Sequence, residues 1–560
     1  MASDNRVSAI FRIGASAFIA LKVITLALLA HNTLYVMDEF QQGGYAKHIA
    51  AGFYQAFYPL KTILFAYFYW PAYELGETSA QAMLIARYQT ALLAVAILGL
   101  VYLVSRNMGR DKVEALFAVC VTLAFSTFME RVFRVRSEPL ALFFAMTVLW
   151  LLTLEKKTRW KVLWAGALSG AAFLTTQKAV YFNVAFGLAI IGEGAIRKAY
   201  KDAIVRSAIY TSGWLAAVAV YSIYFRGAEF ADVIRRIFTA PMRLAAHGGE
   251  YYPNLAEFIY QTLYRNVLPY GLCFAGVAIA FAKRKSLTPS GWTALIATTV
   301  ITVLVFRHNQ PWPYVFIMAI PFLALFSAEA PKALIDIRPN VMRWVFVALL
   351  VVLYFSFERN IGYFGNSNVA QNRVSMEAES LLGPDDYYCD GVGMLVKKRF
   401  TAGAWWDARA IKGIADDATR GDFSKIEKVF SFEPKVWVLN YRVQKLMSLL
   451  RPYLEKSYVR IYPNALVSGA SLASGKETIF VNRWKGAYRL YSANGEKVIS
   501  PVYIDGELVE GPFLLEVGER TLRLGGGAGG LYLLPEDIGG RFTIPPGSRP
   551  FYLFPKVYNY

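Results

Sequence analysis

The sequence predicts a polytopic α-helical membrane protein with a soluble region at its C-terminal end. Of its 560 residues, 56% are hydrophobic and only 18% are charged, and the apolar residues form long runs. Soluble domains average about 45–50% apolar and about 25% charged residues. The apolar runs stop near residue 358, and about 200 residues of ordinary soluble composition follow them.

The apolar runs are long enough for about eleven membrane spans, because one span needs about 20 mostly apolar residues. The first run has no small-residue cleavage motif at Leu28-Leu29-Ala30, so we expect an uncleaved first span. The region 162–194 holds two short runs that share one turn. The predicted spans are 10–34, 81–104, 113–129, 138–154, 162–177, 179–194, 204–225, 267–282, 291–306, 312–328 and 341–357.

Charged residues predict the orientation of these spans. Cytoplasmic loops carry an excess of Lys and Arg, and with a cytoplasmic N-terminus every inside loop of this chain is basic. An odd number of spans then places everything after about residue 358 on the outer side, together with the loop 38–80. The basic inside residues are Arg106, Arg110, Lys112, Lys156, Lys157, Arg159, Lys161, Arg197, Lys198, Lys201, Arg206, Lys283, Arg284, Lys285, Lys332, Arg338 and Arg343.

Composition also bounds the compartment and the partners of the chain. No Asn-x-Ser/Thr acceptor occurs, which favours a bacterial inner membrane over a secretory compartment. The net charge of +19 does not indicate nucleic-acid binding, because the cations cluster in short patches between apolar runs. Cys120, Cys273 and Cys389 show no paired or metal-binding spacing. We therefore expect membrane lipids, and no nucleic acid, among the partners.

The outer soluble region divides into two predicted extracytoplasmic domains. Residues 361–470 mix strand-like segments, such as 386–390 and 436–439, with helical runs, which predicts an α/β domain. Residues 475–560 contain short strands separated by glycine turns, which predicts a β-sandwich. Residues 1–360 are expected to form the membrane domain.

Two adjacent carboxylates, Asp38 and Glu39, follow the first predicted span on the outer side. A charge close to the hydrocarbon is costly and usually has a function. A carboxylate in this place can act as a general base toward an acceptor hydroxyl. The alternative is structural, since an acidic residue also caps or stabilises the N-terminus of a helix.

The outer turns carry cations where a membrane protein should have few of them. Such cations can bind a phosphate and stabilise the charge that develops as it leaves. They can also bind lipid headgroups or reach from a helix end to the interface, so both interpretations stay open. The outer cations are Arg131, Arg134, Arg136, Lys178 and Arg307, with His308 directly after the last of them.

Four motifs of the first 360 residues fall on this outer side. Their order and placement resemble the GT-C glycosyltransferases, in particular the mannosyltransferase and aminoarabinose-transferase type that uses lipid-phosphate sugars. One departure is that the lysine of the third motif lies three residues after its threonine rather than beside it. The motifs are Met37-Asp38-Glu39-Phe40 with 52–61, Arg136-Ser137-Glu138-Pro139, the glycine-rich 166–175 followed by Lys178, and Arg307-His308-Asn309-Gln310-Pro311-Trp312-Pro313-Tyr314 with Pro321.

The resemblance implies an enzyme that transfers a sugar from a polyprenyl-phosphate donor to a glycan, lipid or protein acceptor in one inverting displacement. Asp38 would correspond to the general base, and Glu39 to a helper or a metal ligand. No cofactor is certain, and a divalent metal ion stays open. Glu138 and Tyr58 would support the site. The donor-phosphate candidates are Lys61, Arg131, Arg134, Arg136, Lys178, Arg307 and His308.

Two other functions stay open at the level of sequence. An oligosaccharide ligase would move a whole glycan from a lipid-pyrophosphate carrier, and such enzymes often use a metal ion. A transporter of lipid-linked substrates would show inverted repeats or matching broken spans, and we find neither pattern in the sequence. The joint presence of carboxylates, cations and a bundle open to lipid favours the glycosyltransferase.

Overall fold

In the computed structural model, the N-terminal part of the chain is a bundle of helices and the C-terminal part adds three β-sheets. The predicted combination of a helical membrane part with a C-terminal α/β and β-sandwich region is confirmed. The structure describes residues 2–50, 62, 64–156, 158–224, 235–239, 242, 256–337, 344–401, 405–526, 530–538 and 550–554.

Several helices of the membrane part are joined by short connections within the described ranges. One of them begins with a capping box, in which Asp111 accepts from the backbone N–H of Glu114 and the Glu114 side chain accepts from the backbone N–H of Asp111. In chain order the helices are α1 (Ala2–Asn32), α2 (Met37–Ala50), α3 (Leu64–Leu75), α4 (Ser79–Asn107), α5 (Lys112–Ala124), α6 (Ser126–Arg131), α7 (Ser137–Thr153), α8 (Arg159–Thr175), α9 (Val180–Ile196), α10 (Tyr200–Tyr224), α11 (Ala256–Arg265), α12 (Val267–Ala282), α13 (Pro289–Phe306), α14 (Ile320–Ala324), α15 (Glu329–Ile337), α16 (Trp344–Tyr354) and α17 (Ser356–Gly362).

Several of these helices can cross a membrane, so the chain is an integral membrane protein. Among the described residues, five are long and apolar enough by length and composition, and α11 with α12 forms a sixth candidate that is bent by 92°. Helices α7 and α16 are apolar but shorter. The number of about eleven spans therefore stays a prediction. The five are Arg6–Asn32, Ser79–Asn107, Gln177–Ile196, Tyr200–Tyr224 and Pro289–Phe306.

Most predicted spans coincide with helices, and two are interrupted. Residues 113–129 are divided into α5 and α6 at Phe125, whose backbone is extended. Residues 312–328 do not form one continuous helix, because the chain makes a 3-10 segment, Pro313–Met318, before the short helix α14. Pro311, Pro313 and Pro321 lack the N–H donors that a regular helix needs. The segment is nonetheless buried inside the bundle, which explains its apolar composition.

The predicted first outer loop, 38–80, contains two helices that its weakly polar sequence did not predict. Helix α2 carries Asp38 and Glu39 in its first turn, where a negative charge interacts favourably with the helix dipole. Helix α3 packs on α2 and buries Phe65 and Tyr69. The two carboxylates are therefore held on a regular element rather than on a loose segment.

Helices α8 and α10 approach each other closely because each has a glycine that faces the backbone of the other. A Cβ on Gly166 would lie 2.0 Å from the carbonyl oxygen of Tyr210, and a Cβ on Gly213 would lie 2.2 Å from that of Leu163. Small residues allow such close backbone packing in membrane bundles. The glycine-rich motif 166–175 therefore has a packing role just before Lys178.

The C-terminal part contains a mixed sheet followed by a two-sheet sandwich. Its helices are α18 (Val369–Glu379), α19 (Ala408–Thr419), α20 (Ser424–Phe430), α21 (Tyr441–Lys445) and α22 (Met447–Ser457). Its strands are β1 (Tyr387–Cys389), β2 (Arg399–Phe400), β3 (Val436–Val438), β4 (Tyr458–Tyr462), β5 (Ala465–Ser468), β6 (Ala470–Leu472), β7 (Glu477–Asn482), β8 (Gly486–Tyr491), β9 (Lys497–Val498), β10 (Val502–Ile504), β11 (Glu507–Val509), β12 (Phe513–Leu515), β13 (Gly518–Leu524) and β14 (Leu531–Pro535).

The strand order distinguishes the two regions. The mixed sheet has the order β2-β1-β3-β5-β4, with β1 parallel to both β2 and β3 and the remaining pairs antiparallel. The sandwich consists of the antiparallel sheets β11-β10-β13-β7 and β12-β8-β14-β6, with β9 on β8. Phe480, Val502 and Leu522 of the first of these sheets share one core with Tyr488 and Leu533 of the second.

A buried amide joins the bundle to the C-terminal part. Gln371 of α18 accepts a hydrogen bond from the backbone N–H of Tyr35 at 2.7 Å and donates to the Tyr35 carbonyl at 3.0 Å. Its amide also donates to the carbonyl of Leu553 at 2.9 Å. Tyr35 belongs to the short connection between α1 and α2. The start of α2 is therefore fixed from the C-terminal side.

Candidate active site

Four charged side chains form a chain of ion pairs at the end of the bundle where α2 begins. Asp38 Oδ2 lies 2.5 Å from Arg136 Nη1, and Arg136 Nε lies 3.1 Å from Glu138 Oε2. Glu138 Oε1 in turn accepts from Lys178 Nζ at 2.6 Å. We call Asp38, Arg136, Glu138 and Lys178 the Asp38 network. Negative and positive groups alternate in it, so every buried charge has a partner of opposite sign.

Three separate elements bring these residues together. Asp38 lies in the first turn of α2, while Arg136 is the extended residue that precedes α7. Glu138 lies in the first turn of α7 beside Pro139, where a carboxylate favours a helix N-terminus. Lys178 lies in the 3-10 turn Gln177–Ala179 between α8 and α9. Sequence motifs far apart in the chain thus meet at one place.

Two tyrosines hold the cations of the Asp38 network in place. The hydroxyl of Tyr69 donates to the Arg136 carbonyl at 2.8 Å and accepts from the Arg136 backbone N–H at 2.9 Å. The ring centroid of Tyr314 lies 3.5 Å from the Arg136 guanidinium carbon and 4.3 Å from Lys178 Nζ. A cation over an aromatic face is attracted by the ring. Tyr314 therefore supports both cations from one side.

Glu39 has a different environment from its neighbour Asp38. Its carboxylate is fully buried and accepts from Arg87 Nε at 2.8 Å and Arg87 Nη2 at 2.7 Å. Arg134 Nη1 donates to it at 2.9 Å, and the backbone N–H groups of Val36 and Val135 donate at 3.0 and 3.1 Å. Burial alone would raise the pKa of Glu39, but these partners, above all Arg87, lower it to about 2.

Asp38 is the more accessible of the two carboxylates. Its side chain is 27% exposed, whereas that of Glu39 is 0% exposed. A general base must be reachable by the hydroxyl that it deprotonates. Asp38 meets this requirement, and Glu39 does not touch solvent. Glu39 is therefore placed to fix the start of α2 rather than to contact a substrate.

Comparisons with known proteins identify the fold that carries this site. Residues 60–225 match the family model described as dolichyl-phosphate-mannose-protein mannosyltransferase. The crystal structure of ArnT from Cupriavidus metallidurans bound to undecaprenyl phosphate is similar, with a TM-score of 0.53, 13% identity, and coverage of 81% of this chain and 97% of that one. The apo state of the same ArnT has a TM-score of 0.54 with 14% identity, at the same coverage.

The predicted resemblance to GT-C glycosyltransferases is confirmed. It rests on the family match within the helical bundle and on the shared fold. Residues 420–467 and 470–535 match two family models that are each described as a domain of unknown function. No curated protein sequence matches the chain.

Three other cations that the GT-C resemblance names have different environments. Arg134 binds Glu39 and also donates to the Leu34 carbonyl at 3.0 Å. Arg131 is buried and lies 2.7 Å from Glu130. Arg307 is exposed at the end of α13. That these three side chains bind a donor phosphate stays a prediction.

His308 lies near the cationic end of the network. Its Nδ1 is 2.7 Å from the hydroxyl of Tyr181. Burial, reinforced by Lys178, lowers the pKa of His308 to about 4. The imidazole is therefore neutral near pH 7, so its contact with Tyr181 is a hydrogen bond between uncharged groups.

Lys61 and Tyr58, two of the predicted site residues, lie outside the described residues. Within the described part of the chain, no three His, Cys, Asp or Glu side chains converge in a way that could hold a metal ion. Asp38 and Glu39 are bound to different arginines rather than to a common point. The described side chains around Asp38 thus offer no metal-binding cluster.

Sequence reasoning did not name Arg87, Tyr69 or Tyr314 as site residues. Arg87 had a signal, because it lies inside the apolar run 81–104, and a charge within a predicted span needs a buried partner. Tyr314 was part of the fourth motif, but an aromatic residue near a span end is ordinarily an interfacial residue. Tyr69 had no distinguishing signal.

Proposed function

We propose that the protein is a membrane glycosyltransferase that moves a sugar from a polyprenyl-phosphate donor to an extracytoplasmic glycan, lipid or protein acceptor. The observation that carries this proposal is the Asp38 network on a bundle with the ArnT fold. The similar crystal structure of ArnT is bound to undecaprenyl phosphate. A carboxylate beside two cations is the arrangement that such a transfer needs.

Asp38 acts as the general base in this proposal. The acceptor hydroxyl gives its proton to the Asp38 carboxylate while its oxygen forms a bond to the anomeric carbon. The bond between that carbon and the phosphate oxygen breaks at the same time, and its electron pair leaves with the polyprenyl phosphate. One displacement of this kind inverts the anomeric centre. The exposed edge of Asp38 gives the acceptor access.

Arg136 and Lys178 bind the donor phosphate and stabilise it as it leaves. Lys178 is the more accessible of the two cations, with 24% of its side chain exposed against 3% for Arg136. Glu138 holds both cations and keeps them oriented. Cations that are already in place cost no rearrangement when charge develops on the leaving group.

The basic loops support the orientation in which the Asp38 network lies on the periplasmic side, and the lack of an Asn-x-Ser/Thr acceptor favours a bacterial inner membrane. In that orientation the C-terminal α/β and β-sandwich regions share the side of the membrane with the transfer site. A polyprenyl-phosphate sugar presented to the outer leaflet would then reach Arg136 and Lys178 from the lipid. The hydrophobic surface of the bundle suits the long apolar tail of such a donor.

The test is product analysis with purified protein in lipid nanodiscs. We expect a glycosylated acceptor and free polyprenyl phosphate, and we expect the Asp38→Asn variant to form neither. Asp416→Asn, which changes an exposed residue of α19, serves as the matched control. A lipid pyrophosphate product would identify an oligosaccharide ligase instead. Substrate movement across vesicles without a covalent product would identify a transporter.

A further inference from the structure

Three parallel strands of the mixed sheet end at one edge. After β1 the chain continues into Asp390, after β2 into Thr401 and Trp405, and after β3 into Asn440. The carboxyl ends of parallel strands lie at the same edge of a sheet, and functional residues of α/β domains gather there. In this chain that edge contacts the start of α2.

Two buried polar residues hold this edge together. The Asp390 carboxylate accepts from the backbone N–H groups of Val392, Gly393 and Met394 at 2.8, 2.6 and 2.9 Å. The amide of Asn440 donates to the Asp390 carbonyl at 2.6 Å and so ties the ends of β1 and β3 to each other. The edge is therefore a rigid base for the residues that follow Asn440.

Arg442 extends from this base to the membrane part. Its Nη1 donates to the Gly391 carbonyl at 2.9 Å, and its guanidinium carbon lies 4.3 Å from the ring centroid of Trp405. Its Nη2 contacts the sulfur of Met37, and so does the hydroxyl of Tyr441. Met37 is the first residue of α2 and directly precedes Asp38.

A second contact lies one helical turn further along α2. The ring of Phe40 is 6.2 Å from that of Phe554, and Phe554 is 5.9 Å from the ring of Tyr441. Met37 and Phe40 are three residues apart and therefore share one face of the helix. The C-terminal part thus holds this face of α2, while Asp38 and Glu39 point to the arginines of the bundle.

We propose that Tyr441 and Arg442 are positioning residues that hold the first turn of α2 so that Asp38 stays in contact with Arg136. This inference rests on the proposed function, in which Asp38 is the base. The α/β region then contributes to the transfer reaction, because it holds Asp38 in position. A displacement of about 1 Å of a reacting group can lower a rate about 100-fold.

The kinetic test compares Arg442→Met, Tyr441→Phe and the control Gln444→Met in nanodiscs. Gln444 is exposed on the same short helix, α21. We expect Arg442→Met to lower kcat about 10–100-fold with little change in KM for donor or acceptor. Tyr441→Phe should have a smaller effect in the same direction, and the control should match the wild type. A raised KM with unchanged kcat, or an unchanged rate, would overturn the inference.

A second measurement does not depend on transfer. Ala46 is a buried residue of α2, and Cys120, Cys273 and Cys389 are buried as well. In an Ala46→Cys background, maleimide labelling reports how often α2 opens. We expect Arg442→Met to increase the labelling rate about ten-fold, and Gln444→Met to leave it unchanged. Equal rates in all backgrounds would refute the positioning role, whereas absent transfer by the wild type would refute only the proposed function.

Discussion

Asp38 and Glu39 are neighbours in sequence, but the structure gives their carboxylates different tasks. Glu39 is buried among Arg87, Arg134 and two backbone N–H groups, so it fixes the connection between α1, α2 and α4. Asp38 forms an ion pair with Arg136, and its side chain remains partly exposed. Sequence alone identifies the pair as important, but it cannot divide the roles, because the partners come from other helices.

Removal of Arg87 should destabilise the fold. In Arg87→Met the Glu39 carboxylate loses its main partner while it stays buried, which costs about 3–5 kcal/mol. Thermal unfolding in detergent measures the change against the control Arg12→Met, since Arg12 is exposed on α1. The double variant Arg87→Met/Glu39→Gln should lose less stability than Arg87→Met alone, because it buries no unpaired charge. An equal or greater loss in the double variant would contradict this account.

The stability that Glu39 provides should depend on pH. The folded pKa of Glu39 is about 2, below its ordinary value of 4.5. A depressed pKa stabilises the fold above the ordinary value, and this stabilisation is lost as pH falls toward 2. The difference in unfolding temperature between the wild type and Glu39→Gln should therefore shrink as pH is lowered from 5. A difference that stays constant with pH would show that the charge of Glu39 does not contribute.

His308 should not produce a step in the pH dependence of transfer between pH 5 and 8. Its pKa is lowered to about 4, so the ring stays neutral throughout this interval. We expect wild type and His308→Asn to have pH profiles of the same shape, even if their rates differ. An inflection near pH 6.5 that disappears in His308→Asn would contradict this expectation.

At the scale of elements, the sequence predicted the regular apolar helices but not the 3-10 segment Pro313–Met318. The run 81–104 coincides with α4 because its composition alone drives a span. The segment 312–328 is broken by prolines, although its composition resembles a span. This break brings Tyr314 under Arg136 and Lys178. The 3-10 segment thus positions Tyr314 at the site. The apolar composition of residues 312–328 does not reveal this role.

The close packing of α8 and α10 should tolerate no side chain at Gly166. In Gly166→Ala the new Cβ would meet the Tyr210 carbonyl at 2.0 Å, so the two helices must separate. Gly99→Ala is the matched control, because nothing lies within 4 Å of its Cβ and α4 is helical there. We expect Gly166→Ala to lower the unfolding temperature and Gly99→Ala to be neutral or stabilising by about 0.5–1 kcal/mol. Equal behaviour of both variants would contradict the packing argument.

At the scale of the whole molecule, membrane and soluble parts share a junction that sequence could not locate. The sequence separates the two parts by composition near residue 358. It does not show that Tyr35 bonds to Gln371 or that Met37 contacts Arg442, since these partners are more than 300 residues apart. The polar character of the C-terminal third was predictable, whereas its contact with the start of α2 depends on the folded arrangement.

Gln371 should be important for this junction. Gln371→Leu leaves the backbone N–H and carbonyl of Tyr35 buried without their amide partner, which costs about 1–3 kcal/mol for each unsatisfied group. The control variant is Arg373→Leu, which removes the exposed arginine of the ion pair with Glu377. It should change the free energy of unfolding by less than about 1 kcal/mol. Thermal unfolding of both variants checks the difference. Indistinguishable unfolding temperatures would exclude an energetic role of the buried amide.

The central claim is that Asp38 is the base and that Lys178 binds the donor phosphate. Measuring donor binding and turnover on the same samples tests it most directly. The two variants are Asp38→Asn and Lys178→Met, compared with wild type in nanodiscs. Asp38→Asn should bind the polyprenyl-phosphate sugar normally and lose kcat about 10²–10⁴-fold, whereas Lys178→Met should weaken donor binding about 10–100-fold. Undiminished turnover by Asp38→Asn, with the protein folded and the donor bound, would contradict the account.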